Sequence, residues 1–510
     1  MGAISSSKMG IYSAQPGEIE QNPINFGGQK EHAASDHHAE VCKLLRSAIP
    51  SYDAILDVFQ QQGTWWNSFR QKTQAISQAS RIEPLREFAA RVYTSTNPSE
   101  VATLAVAYTR STGSNHEILQ LVDDMIISNS TYSTTILGLE CLILLGKTHT
   151  DFGQPRSAWL IWRRGMAIAQ LMGLHNGHAQ RSHGQIWWSI YHGERFTSLL
   201  LGLPSGFNDR AYEIELSRSL PDLAGKEAWT HYFVLGCAIE AGKIVERNTS
   251  PHTLPIEIQD SRERMDILRR LGPSQWWELP VSLPPSGNEL DCLVDRMLMQ
   301  LFFFHVQMYT HLPSMARDKY DTDISKDSCK SAARELLKRY LVLRQRVHGT
   351  YLFECKTSDF VGFTAAITLL LWMCEQSTNS QADWQLIHEV KTVFDQLKTE
   401  SDCPIAIQCS DALQVLCPRN EAGDFEDDRP RKVHIPFFGS IVRNKRAAVS
   451  EDTIGLETEV AESACTDFHY LLSNTLPISS NSQETLWPDE MMWDMNQDWD
   501  LFEFASGTMG

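Results

Sequence analysis

The chain has 510 residues, 42% of them hydrophobic, which is enough to bury one large core or two ordinary ones. Its 45 Lys and Arg residues against 63 Asp and Glu residues give a formal net charge of −18. This balance argues against a broad phosphate-binding surface, because non-specific nucleic-acid affinity comes mainly from basic side chains. Eleven cysteines without any Cys-x-x-Cys spacing indicate reduced thiols, as in a cytosolic or nuclear compartment.

The first 37 residues are rich in Ser, Gly, Gln and His and show no apolar periodicity, which predicts a disordered N-terminus. They contain no apolar core of a secretory signal. The start, Met1 to Ser6, fits the N-myristoylation pattern at Gly2, although a chance match in a Ser-rich stretch is the favoured interpretation. One acyl chain binds a membrane only marginally, so we expect no stable membrane association.

Apolar residues at helical spacing begin at Glu40 and predict an all-α fold. Trp65, Trp66 and Phe69 follow the same spacing and are interpreted as a satellite of the core. The apolar run from Phe360 to Cys374 has fifteen residues, fewer than the roughly twenty of a membrane-spanning helix, and predicts a buried core helix. Outside the central region, helical segments are predicted at 83–93, 99–109, 116–127, 232–245, 290–309, 331–347, 360–374 and 384–397.

Two stretches depart from the helical pattern. The region from Thr253 to Glu289, with several prolines, predicts an irregular excursion between two helical halves. A short strand is predicted at Val433 to Ile441. The predicted organisation is a disordered N-terminus at 1–37, a helical domain at 38–417, a linker at 418–455 and a disordered acidic-aromatic tail at 456–510.

The central region, Ser133 to Asp209, contains three apolar helical segments. The first two, Ser133–Leu145 and Pro155–Met172, predict an antiparallel hairpin, with Pro155 in a first helical turn and Gly173 as a left-handed cap. The third, Gln185–Leu201, ends at the turn Gly-Leu-Pro-Ser-Gly. Apolar side chains, Leu160 and Leu171 among them, nearly encircle the second segment, which predicts a helix inside a bundle. Four tryptophans of these segments are candidates for core packing or for a metabolite pocket: Trp159, Trp162, Trp187 and Trp188.

The tail from Leu486 to Phe504 reads LWPDEMMWDMNQDWDLFEF, with six carboxylates and no basic residue. Repulsion between the carboxylates keeps the aromatic side chains available to the apolar groove of a partner, as in an acidic activation segment. The alternatives are a solubilising tail or one that docks on its own helical body. The predicted activation anchors are Trp487, Trp493, Trp499, Phe502 and Phe504.

Two central motifs, GQPRSAWLIWRRGMAIAQLMGLH (Gly153 to His175) and WWSIYHGERFTSLLLGLPSGF (Trp187 to Phe207), resemble the regulatory middle region of fungal zinc-cluster transcription factors. The likeness continues through 328–344, 355–371 and 434–441, and so covers most of residues 40 to 445. The chain departs from the family pattern in two respects. Glu194-Arg195 stands where the family usually has Asp-Arg, after His192-Gly193 in place of a common apolar pair. In addition, the N-terminal region contains Cys42 as its one cysteine and so lacks the family's six-cysteine zinc cluster.

The resemblance implies a nuclear transcriptional regulator that controls a metabolic or secondary-metabolite gene cluster. The acidic tail predicts coactivators as partners. Because the chain lacks the zinc cluster and has a net charge of −18, we expect indirect contact with DNA and a homodimer or a heterodimer with a zinc-cluster relative. The alternative is a non-DNA-binding partner or a ligand-sensing helical module that acts through a full-length transcription factor.

No catalytic, cofactor or metal motif is recognisable in the sequence. Gly146-Lys147-Thr148 resembles the end of a phosphate-binding loop, but Cys141 occupies the position of the required first glycine. A histidine group at His175, His178, His183 and His192 lacks a cysteine or carboxylate to complete a zinc site until Glu194. We therefore predict no enzyme activity and no cofactor.

Overall fold

The computed structural model describes residues 27–73, 82–113, 116–207, 229–249, 255–285, 287–312, 322–347, 349–376, 380–401, 403–416, 431–435 and 439–443. These residues form seventeen α-helices and two short antiparallel strand pairs, which confirms the predicted all-α class.

The first ten helices form the N-terminal and central parts of the body. They are α1 (Gly27–Ser47), α2 (Tyr52–Gln62), α3 (Trp65–Thr73), α4 (Leu85–Val92), α5 (Pro98–Thr112), α6 (His116–Val122), α7 (Ser130–Ser133), α8 (Ile136–Asp151), α9 (Pro155–Leu171) and α10 (Gly177–Leu201). A π-helical segment, Asp123–Ile127, continues α6. Helix α1 begins at Gly27, eleven residues before the predicted start of the helical domain, because its polar first half has no apolar face that would show periodicity.

Helix α5 organises the N-terminal part and packs against α1, α2 and α8. Its boundaries follow from local chemistry. The Asn97 side chain accepts hydrogen bonds from the backbone N–H groups of Ser99 and Glu100, Pro98 occupies the first turn, and Gly113 ends the helix with φ of 68°. Nearly all of its side chains between these ends are buried, so α5 is a core helix.

The central helices confirm the predicted hairpin, because α8 packs against α9 and α9 against α10. Helix α8 begins one turn later than its sequence segment, since the Thr135 hydroxyl accepts from the N–H of Gly138. At the end of α9, Gly173 has φ of 72°, and Leu174 donates its N–H to the Ala169 carbonyl at 2.9 Å, as in a Schellman cap. The predicted apolar encirclement of α9 is wrong at two positions, because Leu160 and Leu171 are exposed on its outer face.

The C-terminal part contains the remaining helices and a 3₁₀ turn, Ser274–Trp277. The helices are α11 (Trp229–Thr249), α12 (Pro255–Leu271), α13 (Asn288–His311), α14 (Thr322–Leu343), α15 (Lys356–Gln376), α16 (Gln381–Ser401) and α17 (Pro404–Leu416). The predicted irregular excursion is wrong for α12, which forms a regular helix despite the prolines around it because Met265, Leu268 and Leu271 bury one narrow stripe.

Helix α15 lies at the centre of the C-terminal part and packs against α8, α14, α16 and α17. Every side chain from Thr357 to Leu370 is buried, so the predicted core helix is confirmed. Its first turn contacts the end of α8: the Thr357 hydroxyl donates to the Thr150 carbonyl, and the Cys355 thiol lies 3.7 Å from the same oxygen. Two pairs of residues, separated by 205 and by 207 positions in the chain, are therefore in direct contact.

The strands form two small antiparallel pairs. Strands β1 (Arg346–Val347) and β2 (Thr350–Tyr351) pair with each other, and β3 (Arg431–Ile435) pairs with β4 (Gly439–Arg443). The sequence predicted one strand at Val433 to Ile441, whereas the structure has two within the predicted linker. The remaining domain boundaries stay predictions. Among the described helices, none combines the length and apolarity needed to cross a membrane.

Candidate functional site

The two central sequence motifs come together around Trp162, at the junction of α8, α9 and α10. The Trp162 indole is almost fully buried and lies between Gly146 of α8 and Gly193 of α10. A β-carbon added at Gly146 would lie 2.8 Å from the indole, and one at Gly193 would lie 2.6 Å from it. Both distances are shorter than side-chain packing allows, so the large ring requires glycine on both neighbouring helices. Gly193, which departs from the family pattern, therefore leaves the space that the large Trp162 ring occupies.

The Glu194-Arg195 pair on α10 is fully buried and holds the turn that follows the helix. The Glu194 carboxylate accepts from the Arg195 guanidinium at 2.7 Å, from Arg163 of α9 at 3.2 Å and from the backbone N–H of Gly206 at 2.8 Å. Arg195 also donates to the Phe207 carbonyl at 2.9 Å. A buried charge is stabilised when a group of opposite charge and hydrogen bonds accompany it. The pair thus fixes the Gly-Leu-Pro-Ser-Gly turn against both α9 and α10.

The predicted candidate tryptophans of α9 are engaged by protein groups. The Trp159 ring N–H donates to the Ser198 hydroxyl at 2.9 Å, and the Arg163 guanidinium lies 5.2 Å from the Trp159 ring centroid. Trp162 fills the space between the two glycines described above. Both side chains therefore bind α9 to its neighbouring helices.

The candidate tryptophans of α10 belong to an aromatic cluster at the end of the central region. Trp187 is fully buried and contacts the Phe207 ring at 5.5 Å and the His175 ring at 6.0 Å. Trp188 is half-buried and contacts His231 of α11 edge-on at 5.4 Å. These contacts account for both residues as packing, and the metabolite-pocket alternative stays a prediction.

A second aromatic cluster, which the sequence analysis did not find, joins α11, α13 and the 3₁₀ turn. Its rings lie 4.8 to 5.8 Å from their neighbours, mostly edge to face, which is the favoured geometry of aromatic pairs. The available signals were the Trp276-Trp277 pair and the triple phenylalanine of α13. The cluster comprises Trp229, Phe233, Trp276, Trp277, Phe303 and Phe304.

Arg339 of α14 connects this second cluster to the rest of the body. Its guanidinium is buried, and it donates to the Trp277 carbonyl at 2.6 Å and to the Gln300 side chain at 2.9 Å. It also pairs with Glu335 one turn earlier on α14. The 3₁₀ turn, which has few backbone hydrogen bonds of its own, is thereby held by side chains.

Further buried ion pairs link helices that are distant in sequence. Asp359 of α15 accepts from Arg344 at 2.8 Å and from the Tyr340 hydroxyl at 2.8 Å. Asp151 at the end of α8 pairs with Arg110 of α5 and with Lys147. Burial raises the pKa of Asp151, but the two cations outweigh burial and the net shift is downward. For Asp359 burial outweighs Arg344 and Tyr340, so the net shift of its pKa is upward. Both carboxylates serve packing between helices.

Most cysteine thiols in the described residues are buried, and Cys292 is exposed. Burial raises the pKa of the Cys141 and Cys329 thiols to about 12 and that of Cys355 to about 11, so the nucleophilic thiolate form is suppressed. Burial also lowers the pKa of His305 to about 3, and neither ring nitrogen of His305 has a hydrogen-bond partner within the described residues. Within the same residues, no group of three His, Cys, Asp or Glu side chains is placed to hold a metal ion.

The predicted activation anchors lie outside the described residues, as do Gly2 and most of the predicted linker. The side chains of His178 and His183 also lie outside them, whereas His175 and His192 make aromatic contacts with Trp187 and Phe302. His175 and His192 therefore lie in different surroundings.

The fold and the motif region together define a large helical body whose characteristic residues serve to pack helices and to fix a turn. Comparison with known proteins identifies relatives with the same character. The chain is 28% identical over 376 residues to the dehydrocurvularin biosynthesis regulator of Alternaria cinerariae, covering 64% of this chain and 48% of the relative. It is 29% identical over 370 residues to the transcription factor sdnS of Sordaria araneosa, covering 64% and 46%. A dehydrocurvularin biosynthesis regulator of Aspergillus terreus is 24% identical over 426 residues, covering 70% and 56%.

These relatives confirm the resemblance found in the sequence: the homologues of this chain are fungal transcription factors and regulators of biosynthesis. The chain spans about half the length of the curated relatives it matches. No family model and no solved structure matches it.

Proposed function

We propose that this protein is a transcriptional regulator of a fungal secondary-metabolite or other metabolic gene cluster, that it acts in the nucleus and that it is not an enzyme. The observation that carries the proposal is the similarity over about two thirds of the chain to proteins named as transcription factors or biosynthesis regulators. The structure supports it because the two motifs of the resemblance form one packed unit around Trp162 and Glu194.

The direct test is deletion of the gene in its host, followed by transcript profiling. Loss of expression of a co-located set of biosynthetic genes is expected. A control strain carries the Leu171→Ser variant, which changes an exposed side chain and leaves the packed unit intact. Unchanged expression of every biosynthetic cluster in the deletion strain, under conditions in which the protein is present, contradicts the proposal.

The acidic-aromatic tail is proposed to be the activation segment that recruits coactivators. It combines carboxylates, which keep the segment exposed, with aromatic anchors that fit an apolar groove. Residues 456–510 fused to a foreign DNA-binding domain should activate a reporter gene. Replacement of Trp493, Trp499 and Phe502 by Ala should abolish most of the output, because the carboxylates remain while the anchors are lost. A silent wild-type fusion removes the activation role.

Contact with DNA is proposed to depend on a partner, either a second copy of the chain or a zinc-cluster relative. The 510 residues contain no Cys-x-x-Cys spacing, and the formal charge of −18 repels phosphate, most strongly at low salt. Purified protein should therefore leave promoter fragments unshifted in a low-salt gel-shift assay, and addition of a nuclear extract should produce a shift. Tight, sequence-selective binding by the purified protein contradicts this part of the proposal.

A further inference from the structure

The hairpin of β3 and β4 brings together two basic groups that lie apart in the sequence. Its register sets Arg431 of β3 directly opposite Arg443 of β4, and Lys432 is the next residue of β3. Ten residues separate Lys432 from Arg443 along the chain. Directly opposite residues of an antiparallel pair have β-carbons only about 4.5–5.5 Å apart. The open end of the hairpin therefore carries three cationic residues at neighbouring positions.

The apolar residues between the two basic groups are accounted for by strand pairing. Val433 is paired with Ile441, and Ile435 with Gly439. Valine and isoleucine are residues that favour strands. Strand β3 also lies beside α17, which places the hairpin next to the helical body. The residues that divide the basic groups in the sequence thus form the scaffold that joins them in space.

The basic character continues in the sequence on both sides of the hairpin. Residues 429–446 contain six Lys and Arg residues and no Asp or Glu, in a chain whose formal net charge is −18. Those outside the strands are Arg429, Lys445 and Arg446, at most three positions from a strand end. Because a chain extends by at most about 3.6 Å per residue, their α-carbons cannot be farther than about 11 Å from a strand end, close to the screening length at physiological salt. The six cations therefore act as one positive patch, the basic hairpin.

Two features of the basic hairpin indicate the kind of partner that it fits. Like charges at directly opposite positions, such as Arg431 and Arg443, destabilise an antiparallel pair, and an anionic partner relieves this repulsion. Five carboxylates, from Glu421 to Asp428, directly precede Arg429. A nucleic-acid backbone has evenly spaced charge and would meet these carboxylates as well as the basic residues. A short acidic groove on a protein can accept the basic hairpin alone.

We propose that the basic hairpin is the nuclear import signal of this protein and binds an acidic groove of an import receptor. The inference rests on the proposed function, because a regulator that acts in the nucleus has to enter it. Clusters of Lys and Arg of this size are a recognised class of nuclear localisation signal. The guanidinium groups of Arg431 and Arg443 can each form paired, charge-assisted hydrogen bonds with a receptor carboxylate.

The first test follows the full-length chain, fused to a fluorescent protein, in a fungal host. The wild-type chain is expected in the nucleus, and the hairpin variant, Arg431→Gln with Lys432→Gln and Arg443→Gln, is expected to lose most of this accumulation. A control variant makes the same charge change at exposed positions on three other helices and should remain nuclear. Its substitutions are Lys43→Gln, Arg86→Gln and Arg270→Gln. A foreign import signal fused to the hairpin variant should restore accumulation, which separates lost import from lost folding.

The second test titrates the purified full-length chain with purified importin α at physiological salt. Saturable binding is expected for the wild-type chain and the control variant. The hairpin variant should bind about tenfold or more weakly, since it loses three charge-assisted contacts. Ile441→Pro keeps all six cations but interrupts the strand pairing, so it should weaken binding as well. Unchanged circular dichroism of the helical body shows that the variants remain folded.

The outcomes distinguish this inference from the proposed function. A hairpin variant that is as nuclear as the wild-type chain overturns the inference and leaves the proposed function standing. A wild-type chain that stays out of the nucleus overturns both. If Ile441→Pro binds importin α as tightly as the wild-type chain, the linear sequence suffices and the role of the hairpin is refuted. If the hairpin substitutions abolish binding to promoter DNA while importin α does not bind at all, the patch belongs to a nucleic-acid surface instead.

Discussion

The buried Glu194 carboxylate provides the sharpest test of how the central motif is held together. In Glu194→Gln the side chain keeps its size but loses its charge, and the amide group cannot accept from all three present donors. Arg195, Arg163 and the Gly206 N–H lie 2.7, 3.2 and 2.8 Å from the carboxylate oxygens. The substitution removes the negative charge that balances Arg195, whose side chain is fully buried. Removing one partner of a buried ion pair typically costs about 3–5 kcal/mol.

The cost is large against the total stability of a folded domain, about 5–15 kcal/mol, so the urea midpoint of Glu194→Gln should fall clearly. Urea unfolding followed by tryptophan fluorescence measures it, because Trp162 and Trp187 lie in the same region. The matched control is Glu400→Gln, which breaks the exposed pair with Arg346 and should leave the urea midpoint almost unchanged, because solvent screens an exposed pair. Equal midpoints for the two variants would refute the assignment of Glu194 as the group that holds the turn.

Three further predictions address packing, pH and activation. Gly193→Ala should destabilise the fold by about 1–3 kcal/mol, because the added methyl group overpacks against Trp162. Adding Trp162→Phe in the same chain should restore part of the lost stability. If the losses of the two substitutions are strictly additive, the close approach of Gly193 to Trp162 is contradicted. The pKa of His305 is about 3 in the folded chain and about 6.5 in the unfolded one, so the unfolded state binds the proton first and stability falls as the pH drops from about 6.5 towards 3. At about pH 5 the loss is about 2 kcal/mol, and His305→Phe should remove it; an unchanged dependence of the urea midpoint on pH would show the histidine to be irrelevant. In the reporter assay, Trp493→Ala alone should reduce the output partly, and full retention would exclude it as an anchor.

The sequence predicted helices whose ends are marked by residues such as proline and glycine, and it missed helices without such residues. Pro155 and Gly173 bound α9 almost where the sequence placed its ends, because fixed φ and left-handed backbone are local properties. Helix α12 escaped prediction because only a narrow stripe of its residues is buried and prolines surround it. The exposure of Leu171 was equally unpredictable, since composition tells which side chains are apolar but the neighbouring helices decide which of them are covered.

The role of the candidate site could not be derived from spacing along the chain. Glu194-Arg195 was recognised as part of a motif, but its partners include Arg163, 31 residues away, and Gly206, 12 residues away. Likewise, Gly193 was seen as a departure from a pattern, and its purpose became clear only when Trp162 was placed against it.

The contact between Thr150 and Thr357 has a consequence for folding of the protein during its synthesis on the ribosome. At about 5–20 residues per second, the 207 positions between the two threonines take roughly 10–40 s to synthesise. During that interval the end of α8 has emerged but its partner helix α15 has not, so apolar surface of the central helices remains exposed to water. Nascent chains in this state aggregate readily and are typical clients of chaperones. Slow translation between α8 and α15 should therefore lower the yield of soluble protein more than slow translation after α17.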